Sequence, residues 1–229
     1  MGQVLLSARG RRRLLEGHPW IYRSDLGKTE ASPGELVPVK AQDGGVLGWA
    51  LYSCSSKLAL RMVTRSPEQP NRAFWEARIQ RCLDARAGAG LLDPQKPAGA
   101  CRLIGGDADG LPGLVVDRYA DRLVLQCGTE AADKMRDFLL EILLTQLTSR
   151  GFTIQGVLDR SDATVRRHEE LESRVEWLMG EASMGQLMVD EGGLHYAVDL
   201  LGGHKTGHYL DQRDNRLRAA QLVRELGER

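Results

Sequence analysis

Toward its C-terminal end the chain runs Gly202-Gly203-His204-Lys205-Thr206-Gly207-His208-Tyr209-Leu210-Asp211-Gln212-Arg213, dense in groups that could do chemistry. His204 and His208 stand four apart, the spacing of a helical zinc pair. Three glycines make the segment a poor helix, however, and no Glu follows His204 in the manner of a metalloprotease. Lys-Thr lies among glycines, but the order is not that of a Walker phosphate loop. What remains is a glycine-rich turn exposing backbone N–H groups beside Lys205, then Asp211, Gln212 and Arg213 at a helix start. A helix N-terminus presents free donors to anions. These features fit the edge of a small-molecule pocket and a structural loop with a helix cap equally well. A hydrolase using His204, His208 and Asp211 is a further reading.

A second group of residues lies near the start. Arg9, Arg11, Arg12 and Arg13 precede Gly17-His18-Pro19-Trp20-Ile21-Tyr22, which sets flat rings beside cations. Unpaired RNA bases bind to such combinations. For Trp20 taken alone, burial in a core is the favoured reading, with Trp20→Ala expected to loosen the surrounding module. The charge distribution points the same way as the rings. Residues 1–66 hold ten Lys or Arg against five Asp or Glu, although the whole chain balances at 31 and 31. A basic module on an acidic body suits a polyanionic partner.

Other candidates carry less. Gly105-Gly106-Asp107-Ala108-Asp109-Gly110 has spaced aspartates but lacks the remaining ligands of a calcium loop, so a turn between strands is expected. Cys54, Cys82, Cys101 and Cys127 form no Cys-x-x-Cys pair and are expected to be reduced, mostly buried, small apolar residues. No metal site is expected. No apolar stretch reaches the roughly 18 residues of a membrane helix, nor the core of a signal peptide, so a cytoplasmic location without membrane contact is expected.

The elements that must position these residues follow from pattern. Val4–Leu6, Trp20–Tyr22, Glu35–Val39, Val46–Tyr52 and Leu58–Val63 read as short strands, with Asp43-Gly44-Gly45 as a hairpin turn. Short strands with one brief helix predict a small barrel over 1–66. The Pro-containing joint at 66–70 marks a boundary. Residues 71–87 form an amphipathic helix with Phe74, Trp75, Ile79, Cys82 and Leu83 on one face. Strands are predicted at Cys101–Ile104, Leu114–Asp117 and Leu123–Gln126, then a helix at 130–149, then strands at Ile154–Leu158 and Val175–Leu178. A hairpin of Gln186–Val189 with His195–Leu200 and a helix from Asp211 to Leu226 complete the chain.

Four stretches carry a family resemblance. They are Arg9-Gly10-Arg11 with Gly17–Ile21, Asp109-Gly110-Leu111-Pro112-Gly113-Leu114-Val115-Val116-Asp117-Arg118, Asp159-Arg160-Ser161-Asp162, and Gly203 through Arg213. Together they resemble the bacterial large-subunit ribosomal RNA cytosine-C5 methyltransferases that carry a PUA-type domain and use S-adenosylmethionine (SAM). The resemblance implies an α+β chain: a PUA-like β-barrel at 1–66, a central strand-strand-helix-strand-strand (EEHEE) domain at 71–182, and at 186–229 the first hairpin and helix of a Rossmann-like methyltransferase core, truncated. It implies ribosomal RNA as partner, bound through Arg9, Arg11, Arg12, Arg13, His18 and Trp20, and allows a homodimer. Lys205, Thr206, Tyr209, Asp211, Gln212 and Arg213 would border the cofactor side.

In the complete family enzyme a cysteine thiolate adds to cytosine C6 and makes C5 nucleophilic toward the SAM methyl. No Gly-x-Gly-x-x-Gly and no Thr-Cys-Ser occur here, so the resemblance implies no catalytic residue in this chain, no tight SAM binding, and no activity alone. His208 departs from the aromatic residue more usual at its place. A stand-alone PUA-type RNA-binding adaptor is the alternative. The helix from Asp211 is expected to be mobile or to dock in a non-native way, since isolated helices of that length are marginal in water.

Overall fold

The computed structural model describes residues 2–180 and 187–227. The first 64 residues form one curled sheet. Its strands are β1 (Gln3–Leu6), β2 (Trp20–Tyr22), β3 (Leu26–Glu30), β4 (Leu36–Lys40), β5 (Val46–Tyr52) and β6 (Leu58–Thr64), ordered β2-β6-β5-β4-β1-β3. The two edge strands β2 and β3 are joined only by a 3-10 turn, Arg23–Asp25, so the sheet must curl back on itself. The pattern had not shown β3: Leu-Gly-Lys-Thr-Glu carries one glycine and two charges and is mostly exposed.

Helix α1 (Ala8–Leu15) closes one end of the barrel. Ser7 caps it by accepting from the Gly10 N–H at 3.2 Å. Gly10 is needed there, because a Cβ would stand 2.5 Å from the Asp25 carbonyl oxygen. Val4, Leu6, Leu14, Ile21, Val37, Val39 and Leu60 fill the interior.

The expectation that Trp20 is core does not hold. Strand β2 alternates exposed, buried, exposed, so Ile21 is wholly buried while Trp20 and Tyr22 face outward at 42% and 44% exposure. An edge strand with one inward position can bury only one of three consecutive apolar residues. Trp20 is held from outside, its indole N–H donating to Asp107 at 2.8 Å.

The central unit is a five-stranded sheet ordered β11-β10-β9-β8-β7, from β7 (Ala100–Gly105), β8 (Leu114–Tyr119), β9 (Arg122–Cys127), β10 (Gly156–Ser161) and β11 (Arg174–Met179). Helices α2 (Arg72–Gly88) and α3 (Glu130–Ser149) pack on one face. Three strands precede α3, as the residue pattern predicts, and one more than the EEHEE arrangement implied by the resemblance. The third is added by the tight turn at Ala120, in the left-handed region at φ 52°, which sends the chain straight back along β8. Only β9 and β10 are parallel, joined by the α3 crossover.

Past the boundary expected at 66–70, the two units share a core. Leu51 and Val63 of the barrel pack with Trp75, Ile79 and Leu83 of α2. Arg78 donates to Val63 O at 3.0 Å and to Gly110 O at 2.6 Å. Arg61 of β6 meets Glu169 at 3.1 Å with both groups buried.

The opposite face of the central sheet receives a hairpin, β12 (Leu187–Glu191) with β13 (Leu194–Val198), whose Val189 and Val198 pack on Tyr119, Val124 and Leu158. Gln186 and residues 181–182, assigned from sequence to this hairpin and to the central domain, lie outside the described residues, as do 228–229. Helix α4 (Arg213–Gly227) follows a 3-10 turn, Leu210–Gln212.

Ile21→Ala should therefore cost about 2–5 kcal/mol in denaturant melts, as core Ile truncations do. Trp20→Ala should shift the same melt by less than about 1 kcal/mol, because it removes only one exposed ring and its single hydrogen bond.

Candidate RNA-binding surface and glycine-rich loop

The basic residues of α1 divide into two pairs. Arg9 and Arg13 both bind the buried Asp25, Arg13 at 3.2 Å, and Arg9 also donates to Ser24. A carboxylate with 1% exposure needs such partners, so these two arginines hold α1 to the turn after β2. Arg11 is exposed with no ion pair among the described residues, and Arg12 has only a 3.9 Å approach to Glu16.

Arg13 also stacks over Tyr22, 5.0 Å from the ring centroid. Trp20 and Tyr22 lie two apart on one face of β2 and turn outward together. The result is a pair of exposed rings, one of them under the half-buried guanidinium of Arg13. His18 is exposed in the turn before β2, and its carbonyl accepts from Arg65 at 3.5 Å. Tyr22 was read in the sequence only as a nearby ring. Its alternation with Ile21 is the signal that would have added it.

The glycine-rich loop is built differently. Asp199 accepts from the N–H groups of Leu201 and Gly202, both at 2.9 Å, and these bonds hold its carboxyl below the usual range. Gly203 N–H donates to Asp199 O and Gly207 N–H to His204 O. A Cβ at Gly203 would fall 2.3 Å from Asp199 O and 2.4 Å from Gly207 O, so glycine is required where the loop folds onto itself. Two of the donors that an anion would use are thus spent inside the loop.

Thr206, at the loop's tip, is wholly buried. Its hydroxyl donates to Asp117 at 2.6 Å and stands 2.9 Å from the Tyr119 hydroxyl. Because Thr206 has one proton and gives it to a carboxylate, Tyr119 is the donor between the two hydroxyls. Arg102 closes the cluster with bonds of 2.8 and 2.9 Å to the two Asp117 oxygens. Burial and the nearby Asp117 push the Tyr119 phenol up to about 12.

The other loop residues pair among themselves. Lys205 reaches Asp211 at 2.9 Å and lies 4.5 Å over the Tyr209 ring, and Arg213 meets Asp214 at 3.1 Å. The Gln212 side-chain oxygen accepts from Asn215 at 2.7 Å. His204 stacks on Tyr209 and His208 on Tyr196, so the two imidazoles turn to different partners, and Asp211 is committed to Lys205. The hydrolase constellation is not assembled.

The sequence reading missed Arg216, which binds the buried Glu191 at 2.9 and 2.5 Å and Tyr209 O at 2.8 Å. Through Arg216 the first turns of α4 dock on the hairpin. Its later turns, with Leu222, Val223 and Leu226, are exposed.

Burial pushes Cys82 and Cys101 to about 11 and Cys127 to about 12, while the exposed Cys54 thiol lies against Glu130 at 3.2 Å.

A family model described as a PUA-like domain matches residues 4–65. The chain is 38% identical over 218 residues to the ribosomal RNA large subunit methyltransferase I of Shewanella amazonensis, covering 93% of this chain and 53% of that protein. The protein of the same name from Vibrio cholerae is 35% identical over 228 residues, covering 98% and 55%. The chain spans about half the length of the curated relatives it matches. Among solved structures, a Streptococcus mutans protein described as a SAM-dependent methyltransferase matches 94% of this chain and 53% of its own, with TM-score 0.73 and 21% identity. A methyltransferase-type structure in complex with SAH matches at TM-score 0.74 and 21% identity, over 94% and 52%. At that identity the two structures establish the fold of the chain.

Two outcomes follow from the loop. Thr206→Val keeps the shape but removes the hydroxyl between Tyr119 and Asp117, leaving Asp117 to Arg102 alone and Tyr119 with only its 3.4 Å bond to His208 O, and should cost about 1–3 kcal/mol in denaturant melts. Thr206→Ser should recover most of it. His208 is held below its ordinary value of 6.5, chiefly by burial and then by Arg216. The unfolded segment therefore takes up a proton before the folded one does. The protection factors of the amides across 203–208, corrected for the intrinsic exchange rate, should fall as pH falls below 6.5, and His208→Phe should abolish that component.

Proposed function

We propose that this chain is the RNA-recognition portion of a SAM-dependent ribosomal RNA cytosine-C5 methyltransferase. The observation that carries the reading is the outward pair Trp20 and Tyr22, with Arg13 over the Tyr22 ring and the exposed Arg11 and Arg12 on the adjoining helix, on a barrel that matches a PUA-like domain. Rings accept stacked bases of any sequence, and cations accept phosphate, so this surface suits single-stranded or splayed RNA. The named activity of the ribosomal RNA methyltransferase relatives supports rRNA as the target.

The barrel and central sheet act as one body in this proposal. Phosphate contacts from Arg11 and Arg12 set the register of the RNA without reading sequence. Arg9, Arg13 and His18 stand at the same surface, the first two doubling as the ties to Asp25. Unstacking a target cytosine costs a few kcal/mol, and a fixed binding platform helps meet that cost.

SAM belongs to the complete enzyme in this reading. Lys205, Tyr209, Asp211, Gln212 and Arg213 border the cofactor side only as a rim. The residues in hand do not fit the whole cofactor: Thr206 is sealed onto Asp117, Lys205 and Asp211 neutralise each other, and the loop closes on its own carbonyls. No methyl-transfer step is assigned to this chain. A stand-alone adaptor predicts the same RNA contacts and no cofactor at all.

RNA should bind with strong salt dependence, because each neutralised phosphate releases counterions. Arg11→Ala with Arg12→Ala should reduce the slope of log K against log salt by about 1.5. Trp20→Ala should weaken binding by about 1–3 kcal/mol with the slope unchanged. A slope untouched by the double substitution would remove α1 from the interface.

A further inference from the structure

The open face of the central sheet is only partly covered. The β12–β13 hairpin and the loop around Thr206 pack on the rows holding Asp117, Tyr119, Val124 and Leu158. The next row up, Gly105 beside Val115 beside Gln126 across three adjacent strands, has no such cover. It forms the floor of a cleft of about 320 Å³, at the carboxyl ends of the parallel strands β9 and β10. That is where ligands collect in sheets with parallel strands.

Arg61 of the barrel and Val165 of the turn after β10 also line the cleft. Its volume is at the small end for ligand sites, enough for a single flat heterocycle with its sugar. Two of its polar groups are unspent. The Gln126 amide makes no hydrogen bond among the described residues, although the side chain is half-buried. Asp107 gives one carboxylate oxygen to the Trp20 indole, and its other oxygen has no partner among the described residues.

The Trp20–Asp107 bond joins this cleft directly to the exposed ring pair on β2. An RNA strand stacked along Trp20 and Tyr22 therefore arrives at the cleft mouth. We propose that the cleft takes one unpaired RNA base bearing an exocyclic amine, read by Asp107 and Gln126. A carboxylate at the mouth accepts from an amine such as cytosine N4 and opposes a carbonyl oxygen such as uracil O4. Gln126 supplies one donor and one acceptor for the rest of the base edge. Arg61, already neutralised by Glu169, adds no free charge to attract a phosphate inward. The inference rests on the proposed RNA binding and adds a site and a base class to it.

The test is fluorescence anisotropy with labelled oligo(C) and oligo(U) 12-mers at pH 7.5 across a salt series. The wild-type chain should bind the cytosine strand about tenfold more tightly than the uracil strand. Asp107→Asn keeps an oxygen for Trp20 but presents an amide to the base, and should bring the ratio to one or below. Gln126→Trp should fill the cleft and reduce the cytosine strand to the affinity of the uracil strand, with the salt slope unchanged. Gln126→Ala, which removes a group with no protein partner, should lower the ratio without altering the melt. Equal, salt-sensitive binding of both strands by wild type would overturn the cleft and leave the RNA platform standing. No salt-sensitive binding of either strand would overturn both.

Discussion

A carboxylate with no solvent exposure must be neutral or enclosed by donors, and Asp117 is enclosed. Arg102 from the neighbouring strand and Thr206 from a loop 89 residues away both donate to it, and Tyr119 extends the chain of bonds. Removing any partner leaves a buried charge under-satisfied, so the strands β7 and β8 and the glycine-rich loop are fixed together. This is the clasp that brings the C-terminal hairpin and loop onto the open face of the central sheet. Asp117 and Thr206 lie in two of the stretches that carry the family resemblance. Both are parts of one structural joint.

The joint between barrel and central sheet has a different physical basis. It is mostly apolar, with Leu51 and Val63 continuing the core of α2, and is supplemented by the buried Arg61–Glu169 pair and the Trp20–Asp107 bond. A shared core resists hinge motion, since opening it exposes apolar surface. The ring pair, the basic helix and the cleft at Gln126 therefore keep fixed distances. In the RNA-binding proposal, this rigidity lets contacts on the barrel set what reaches the sheet.

Much of the fold was legible because it is written in local pattern. The helix at 130–149 follows from its apolar period, and the β4–β5 hairpin from Asp43-Gly44-Gly45. The basic bias of residues 1–66 is likewise a matter of composition, and was countable before any strand was placed. Strand β3 escaped because it is short, charged and mostly exposed, so no alternation marks it. Trp20 was misjudged because hydrophobicity indicates what a side chain gains on burial. Whether β2 is an edge strand with one inward position is decided by its neighbours.

The same division runs through the candidate site. Residue types and spacing alone determined that a basic, ring-bearing module precedes an α/β unit and that a glycine-rich loop precedes a helix. They could not divide Arg9 and Arg13 from Arg11 and Arg12, because Asp25 is buried only once the barrel closes. They could not assign Thr206 to Asp117, or Arg216 to Glu191, since such pairs join residues 89 and 25 apart. Local periodicity reports on a few turns of chain, whereas satisfaction of a buried charge depends on what the tertiary fold brings within about 3 Å of it.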